Sequence, residues 1–332
     1  MAERALVTGG AGFVGLHLCR RLLAEGFDVV VVDNLSRHGR DRELDELLPH
    51  VQLVDHDLSR GMPASVPGRC SVVFHLAAWV GVDRVTAAPY RVLRDNIAST
   101  GAVLDWCTDH TVETVFLSST SELGDGATEL GLAGLPTPET APFAVRAPHA
   151  ARASYALSKL VAEALLLHHG GRRVRIGRYY NVYGPRMGYN HVIPQFIARV
   201  LDGVDPFPVY GGANTRSFCY VADALEATMR LVRLPQEQPI IANIGDDTAE
   251  LAMTSLAEKL FEVAGVSPGL DVRRAPAGSP QRRVPDLSNL QMLTGYQPEV
   301  SLSEGLATTF RWYAERHREP STARTTVSEE RR

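Results

Sequence analysis

Short apolar runs and longer amphipathic runs alternate along the first 185 residues of the chain. The short runs predict buried strands, because a parallel strand covered on both faces is apolar throughout. The longer runs carry apolar residues at spacings of three and four, which predicts helices. The predicted strands lie at 4–8, 29–33, 72–76, 114–117 and 173–179, and the predicted helices at 16–25, 91–109 and 155–169.

This order predicts an α/β fold with a doubly wound parallel (Rossmann-type) sheet, whose ligands lie beyond the carboxyl ends of the strands. We expect residues 1–185 to form this domain, with 239–245 returning to the sheet. The alternation of predicted strands and helices is less regular after Pro185, so residues 186–318 are interpreted mainly as a smaller C-terminal substrate lobe. Residues 319–332 are rich in Ser, Thr, Arg and Glu and predict a disordered tail.

Composition narrows the class of protein. The chain has 332 residues, of which 45% are hydrophobic, and this is typical of a soluble globular protein. A net charge of −4 gives no reason to expect nucleic-acid binding. No apolar run approaches the ~20 residues of a membrane span, and no secretory signal precedes the first strand, so we predict no membrane association. Its four cysteines lack metal-ligand spacing, which predicts no metal site, free buried thiols and a cytoplasmic location.

A glycine-rich turn follows the first predicted strand. Gly9, Gly12 and Gly15 permit a tight turn, a close approach to a pyrophosphate and close packing of the next helix. Asp33 ends the second strand, where a carboxylate binds the adenosine ribose hydroxyls and repels a 2′-phosphate. The small residues Ala77 and Ala78 end a later strand and let a cofactor lie against the backbone. We therefore predict a dinucleotide site that prefers NAD to NADP.

Tyr155 and Lys159 lie four residues apart on a predicted helix, so their side chains share one face. Lys and Arg total 34, but only Lys159 and Lys259 are lysines, which makes a lysine at this spacing notable. A free tyrosine has a pKa of about 10, and a nearby ammonium lowers it towards the range of a useful base. The pair therefore predicts a general base.

With these motifs the chain resembles the extended short-chain dehydrogenase/reductases, which modify nucleotide sugars. The resemblance covers residues 4–316 and rests on the segments 8–15, 155–159, 181–186, 216–223 and 282–286. It implies NAD as cofactor. The residues expected to bind NAD are the turn glycines with Asp33, Ala77, Ala78, Tyr155 and Lys159, and in addition Phe13, Val14, Asn34, Asp57, Leu58, Leu76 and Asn96. It implies that Asn181, Arg186, Arg216 and Arg283 bind the nucleotide sugar.

The resemblance also implies a reaction through a 4-keto sugar. Tyr155 acts as base, Lys159 lowers its pKa and Thr120 binds the same oxygen. Thr120 is followed by Ser121 and Glu122, a pattern similar to that of the UDP-glucuronate decarboxylases, with Arg283 as a second group on the sugar. The alternatives are a 4-epimerase, then a 4,6-dehydratase, which would need an acid directly after the threonine. A non-catalytic NAD sensor on the same fold is a remote alternative.

Some points stay open. The spacing after Glu122 departs from the family pattern by one residue, which leaves Ser119 as an alternative to Thr120 for the catalytic hydroxyl. The nucleotide, either UDP or dTDP, and the sugar are not determined. The family pairs the helices at 91–109 and 151–169 across a dimer interface, so we expect a homodimer.

Overall fold

The computed structural model describes residues 3–37, 39–145, 147–248, 250–276 and 278–317. The tail predicted at 319–332 lies outside the described residues. The elements in chain order are β1 (Arg4–Thr8), α1 (Phe13–Ala24), β2 (Asp28–Asp33), α2 (Arg42–Leu47), β3 (Gln52–Asp55), β4 (Arg69–His75), α3 (Val82–Ala87), α4 (Pro89–Asp109), β5 (Thr111–Thr120), α5 (Glu122–Glu129), α6 (Ala153–His169), β6 (Arg173–Tyr179), β7 (Val182–Tyr183), α7 (Val192–Leu201), β8 (Phe207–Tyr210), β9 (Thr215–Ser217), β10 (Cys219–Tyr220), α8 (Val221–Val232), β11 (Ile240–Ile244), β12 (Glu250–Ala252), α9 (Met253–Ala264), β13 (Leu270–Arg273), β14 (Arg282–Arg283), α10 (Ser288–Thr294) and α11 (Leu302–His317).

The central sheet has seven strands in the order β11-β6-β5-β4-β1-β2-β3. All neighbouring strands are parallel. The chain order reverses between β1 and β4, and in open parallel sheets ligands bind at such a switch point. The predicted doubly wound sheet is confirmed, and β11 joins its edge beside β6.

Alternating side chains of each strand divide the core into two layers. On one face, residues such as Leu6 and Val73 pack against Leu104 of α4 and Leu166 of α6. On the other face the core includes α1 and continues without a break into the C-terminal helices α7, α8, α9 and α11. Burial on both faces explains why the strands read as apolar runs in the sequence.

Arg175 ties the C-terminal part of the chain to the sheet. Its side chain is fully buried in β6, and its guanidinium donates to the backbone carbonyls of Leu231, Leu234, Gln236 and Gln238, and of its own neighbour in the strand. Leu231 belongs to the last turn of α8, where the helix dipole favours a cation. This arginine fixes the segment that leads from α8 into β11.

The sequence did not predict α5, which begins directly after β5. Its glycines argue against a helix, but packing requires one of them, because a Cβ at Gly126 would lie 1.7 Å from the carbonyl oxygen of Ala144. Tertiary contact with the 131–148 loop therefore overrides helix propensity.

The four cysteines are buried and free, in agreement with the prediction. No helix in the described part of the chain is long and apolar enough to cross a bilayer.

Candidate active site

The glycine-rich turn lies between β1 and α1, at the switch point of the sheet. A Cβ at Gly15 would lie 2.1 Å from the carbonyl oxygen of Gly9, so α1 reaches the turn only with glycine at this position. The Asp33 carboxylate accepts the backbone N–H of Ala11 at 3.0 Å and of Leu35 at 2.8 Å. The acid is thereby held at the end of β2, beside the turn.

Two adjoining grooves meet over this turn. The outer groove is lined at its far end by Asp33, Asn34, Asp57 and Leu58, and the inner groove by Thr120, Tyr155 and Lys159. Every residue that the sequence predicted for the cofactor lines one groove or both. The two grooves share Gly9, Gly12, Arg37, Leu76, Ala78 and Val80. A dinucleotide fits this arrangement: the outer groove would hold its adenosine, and the glycine-rich turn would hold its diphosphate.

Asn96 shapes the outer groove from α4. Its Oδ1 accepts the backbone N–H of Trp79 at 2.7 Å, and its Nδ2 donates to the Trp79 carbonyl at 3.2 Å and to Ser158 Oγ at 3.0 Å. The amide thus pins the 76–80 segment against α6.

Thr120, Tyr155 and Lys159 lie together in the inner groove. Thr120 lies close enough to the Tyr155 hydroxyl to lower the pKa of the phenol. Lys159 Nζ donates to the Ser118 carbonyl at 2.7 Å. Ser119 faces the other way, because its Oγ donates to Glu163 at 2.5 Å in the buried core. Of the two hydroxyls left open by the sequence, Thr120 is the one at the tyrosine.

The pKa of Tyr155 is raised in this structure, whereas the sequence analysis expected it to be lowered. Burial raises the pKa of its phenol and Glu122 raises it further, whereas Arg37 and the hydrogen bond from Thr120 lower it. Arg37 is a cation that acts on the phenol, and the Lys159 ammonium donates to a backbone carbonyl. Burial lowers the pKa of Lys159 to about 8, and Glu163 opposes this shift.

Glu122 and Arg283 border a second pocket, which is formed by α5, α6 and residues 143–145 and 147–152. The charge of Glu122 also acts on Tyr155. Burial raises the pKa of Glu122, while Arg283 lowers it. Ser121 is buried directly before Glu122, at the start of α5. The structure therefore brings the two predicted second-step residues, Glu122 and Arg283, to one place.

Asp125 is a residue of this pocket that the sequence analysis missed. Its carboxylate binds Arg283 with both oxygens, accepting Nε at 3.0 Å and also Nη2. Arg283 lies opposite Arg216 where β14 pairs with β9. The positive charges of Arg283 and Arg152 both lower the pKa of Arg216. The only sequence signal for Asp125 was an acid shortly after Glu122, and no pattern connected it to an arginine so distant along the chain.

Arg216 donates to the backbone carbonyls of Thr215, Pro280 and Gln281. Burial lowers the pKa of its guanidinium to about 10. Asn181 donates to the Ser217 carbonyl at 2.8 Å. Arg216 and Asn181, two of the residues predicted to bind the nucleotide sugar, therefore both lie near β9.

Arg186 corrects a prediction. Its side chain is buried, and it binds both carboxylate oxygens of Asp41 together with the carbonyls of Ala11 and Gly12. These contacts occupy Nε and both terminal nitrogens. Arg186 therefore supports the glycine-rich turn, where the sequence predicted a contact with the nucleotide sugar.

Comparison with known proteins shows the family of the chain. Residues 5–245 match the model of the NAD dependent epimerase/dehydratase family. The chain belongs to this family. The predicted family and the NAD cofactor are thereby confirmed.

Individual members of the epimerase/dehydratase family align along nearly the whole chain. A UDP-N-acetyl-alpha-D-glucosaminuronate decarboxylase of Bacillus cytotoxicus is 32% identical, covering 95% of this chain and 99% of the relative. UDP-glucuronic acid decarboxylase 6 of Arabidopsis thaliana is 33% identical, covering 91% and 86%. The solved structure of MoeE5 in complex with UDP-glucuronic acid and NAD is 27% identical with a TM-score of 0.78, covering 95% and 100%.

Proposed function

We propose that this protein decarboxylates a nucleotide-linked hexuronic acid of the UDP-glucuronate type through a 4-keto intermediate. The position of Glu122 carries the proposal, because it shares a pocket with Arg283 while its charge acts on Tyr155, and so links an acid and a cation to the general base. Both relatives described above are named as decarboxylases of such sugars.

The first step is oxidation at the sugar C4. NAD, when bound, accepts a hydride from this carbon and returns it at the end of the reaction. The Tyr155 phenolate takes the proton of the C4 hydroxyl, and the Thr120 hydroxyl binds the same oxygen. Lys159 would hold the nicotinamide ribose from the same helix.

The second step is loss of CO2 from the resulting β-keto acid. The bond between C5 and the carboxylate breaks, and its electrons pass to the C4 oxygen as an enolate. Arg283 orients the carboxylate, and the raised pKa of Glu122 suits it to deliver the proton that C5 then needs.

In this proposal residues 1–185 with 239–245 bind NAD, and residues 186–318 mainly bind the nucleotide sugar. Arg152, Arg216 and Arg283 form a cation cluster near that lobe, which suits a nucleoside diphosphate, UDP or dTDP. Asn181 lies beside it. A cytoplasmic location stays a prediction from cysteine usage.

A 4-epimerase is the second candidate. The ion pair with Asp125 already neutralises Arg283, which would suit an uncharged sugar. A 4,6-dehydratase is disfavoured because Ser121 follows Thr120 where that reaction needs an acid.

Mass spectrometry after incubation with UDP-glucuronate, UDP-glucose and dTDP-glucose distinguishes the reactions, through loss of CO2, loss of water or an unchanged mass. We expect CO2 loss from UDP-glucuronate. Glu122→Gln and Arg283→Ala should each reduce CO2 release by about 10²- to 10⁴-fold, while the absorbance of reduced cofactor still appears. Arg282→Ala is the matched control, because this exposed neighbour pairs with Glu250. A product of unchanged mass with inverted C4 would replace decarboxylation by epimerisation.

We also propose a homodimer formed through α4 and α6. These helices pack side by side, and Val161 and Leu165 of α6 remain 36% and 37% exposed. Val161→Glu with Leu165→Glu should convert a dimer to a monomer in light scattering at micromolar concentration. A monomer mass for the unaltered protein would contradict the proposal.

A further inference from the structure

Arg37 lies in the loop after β2, at the junction of the two cofactor grooves. Among the residues that line both grooves it is the only charged side chain within the described part of the chain. The other shared residues are small or apolar, and they include Gly12, which precedes the first turn of α1. Arg37 is thus the side chain placed to act on the middle of a dinucleotide.

The contacts of Arg37 leave its charge without a counter-ion. Its Nη2 lies 3.4 Å from His191 Nε2 across the inner groove. Burial lowers the pKa of His191 to about 4, so this imidazole is neutral at pH 7 and supplies no negative charge. No ion pair joins Arg37 to a carboxylate in the described ranges of the chain.

Two other arginines near Arg37 have partners. Arg186 binds Asp41 and the backbone of the turn, and Arg84 Nη2 donates to the Ser36 carbonyl at 2.8 Å. Both repel Arg37. Burial is the largest cause that lowers the pKa of Arg37, and the charges of these two arginines lower it further. A half-buried guanidinium stays charged, and placing it among like charges is costly unless an anion binds.

The neighbouring end of α1 also suits an anion. Gly12 caps this helix without a side-chain hydrogen bond, and its first turn contains no acidic residue. The backbone amides of this turn have no intrahelical partner, and Gly12 lines both grooves together with Arg37.

We propose that Arg37 binds the diphosphate of the bound dinucleotide and exchanges its contact with His191 for that anion. The proposal concerns the confirmed cofactor and is independent of the sugar reaction. It assigns Arg37 to the diphosphate and not to the 2′-phosphate of NADP, because the guanidinium reaches His191 in the inner groove, whereas Asp33 lines only the outer groove.

The test is calorimetric titration of nucleotide-free protein with NAD, NADP, ADP-ribose and adenosine. Arg37→Met should weaken NAD and ADP-ribose binding by about ten- to a hundredfold, the loss of one charge-assisted contact. Adenosine has no phosphate, so its affinity should not change, and the ratio of NAD to NADP affinity should stay the same. Arg37→Lys should retain part of the affinity.

Arg40→Met is the matched control, because Arg40 lies in the same loop but forms an exposed pair with Asp45. It should bind all four ligands like the unaltered protein. Equal weakening of adenosine by Arg37→Met would mean that the residue supports the loop. Selective loss of NADP would assign it to the 2′-phosphate, and unchanged NAD affinity would remove it from the site. Each of these three outcomes overturns the proposal.

Discussion

Arg178 and Glu163 form a buried ion pair in which both carboxylate oxygens accept hydrogen bonds, from Nε at 3.0 Å and from Nη2 at 2.8 Å. Ser119 Oγ donates to the same carboxylate, which explains why this hydroxyl does not reach Tyr155. Glu163 also lies one helical turn beyond Lys159 on α6. The pair therefore connects the core of the sheet to the charge of Lys159, which we propose to be catalytic.

Removing the charge of Glu163 should shift the pH dependence of the reaction. Glu163 raises the pKa of Lys159 against the effect of burial, so Glu163→Gln should lower it below its value of about 8. The lysine then loses its proton at lower pH, and the alkaline limb of kcat/KM should move to lower pH. A pH profile checks this. An unchanged limb with reduced kcat would mean that Glu163 acts only through packing.

The same pair should show strong coupling in stability. Arg178→Met or Glu163→Gln alone leaves a buried group without its partner, which costs about 3–5 kcal/mol in the free energy of unfolding. The double variant leaves no charge unpaired and should lose much less than the sum of the two. Urea denaturation measures all three. Arg40→Met, which breaks an exposed pair, should change the free energy of unfolding by about 1 kcal/mol or less. Additive losses would mean that the two side chains act independently.

Gly15→Ala should abolish NAD binding. The added methyl group would lie 2.1 Å from the Gly9 carbonyl oxygen, so α1 must move away from the turn. Gly101→Ala is the matched control, because a Cβ there meets nothing within 4 Å in the middle of α4. It should stabilise the protein by about 0.5–1 kcal/mol and leave binding unchanged. NAD titration and thermal unfolding separate the two variants, and normal NAD affinity in Gly15→Ala would contradict the geometry.

Arg186→Met should weaken NAD binding and lower the free energy of unfolding by more than about 2 kcal/mol, because Asp41 and two carbonyls of the turn lose their donor. Arg20→Met, in an exposed pair with Glu46, is the control and should change neither quantity measurably. Calorimetry and denaturation check both. Wild-type stability and NAD affinity combined with poor sugar-nucleotide binding would restore the role that the sequence predicted for Arg186.

The local signals in the sequence determined the NAD-binding half of the protein. Apolar runs located β1, β2, β4, β5 and β6, because strands buried on both faces cannot contain many polar residues. They did not locate β3, an edge strand of the sheet whose residues are exposed or only half-buried. The turn glycines and Asp33 could be assigned because their function depends on backbone geometry within one β-turn-α-β unit. Tyr155 and Lys159 could be paired because the helix itself sets their separation.

Contacts between distant segments decided the rest. Ser119 and Thr120 are adjacent in sequence, and only the pleat of β5 directs one to Glu163 and the other to Tyr155. Asp125 meets Arg283, and Arg186 meets Asp41, because the sheet and the C-terminal lobe bring remote strands and loops together. A side chain's charge is visible in the sequence, whereas its partner depends on packing that no local pattern encodes.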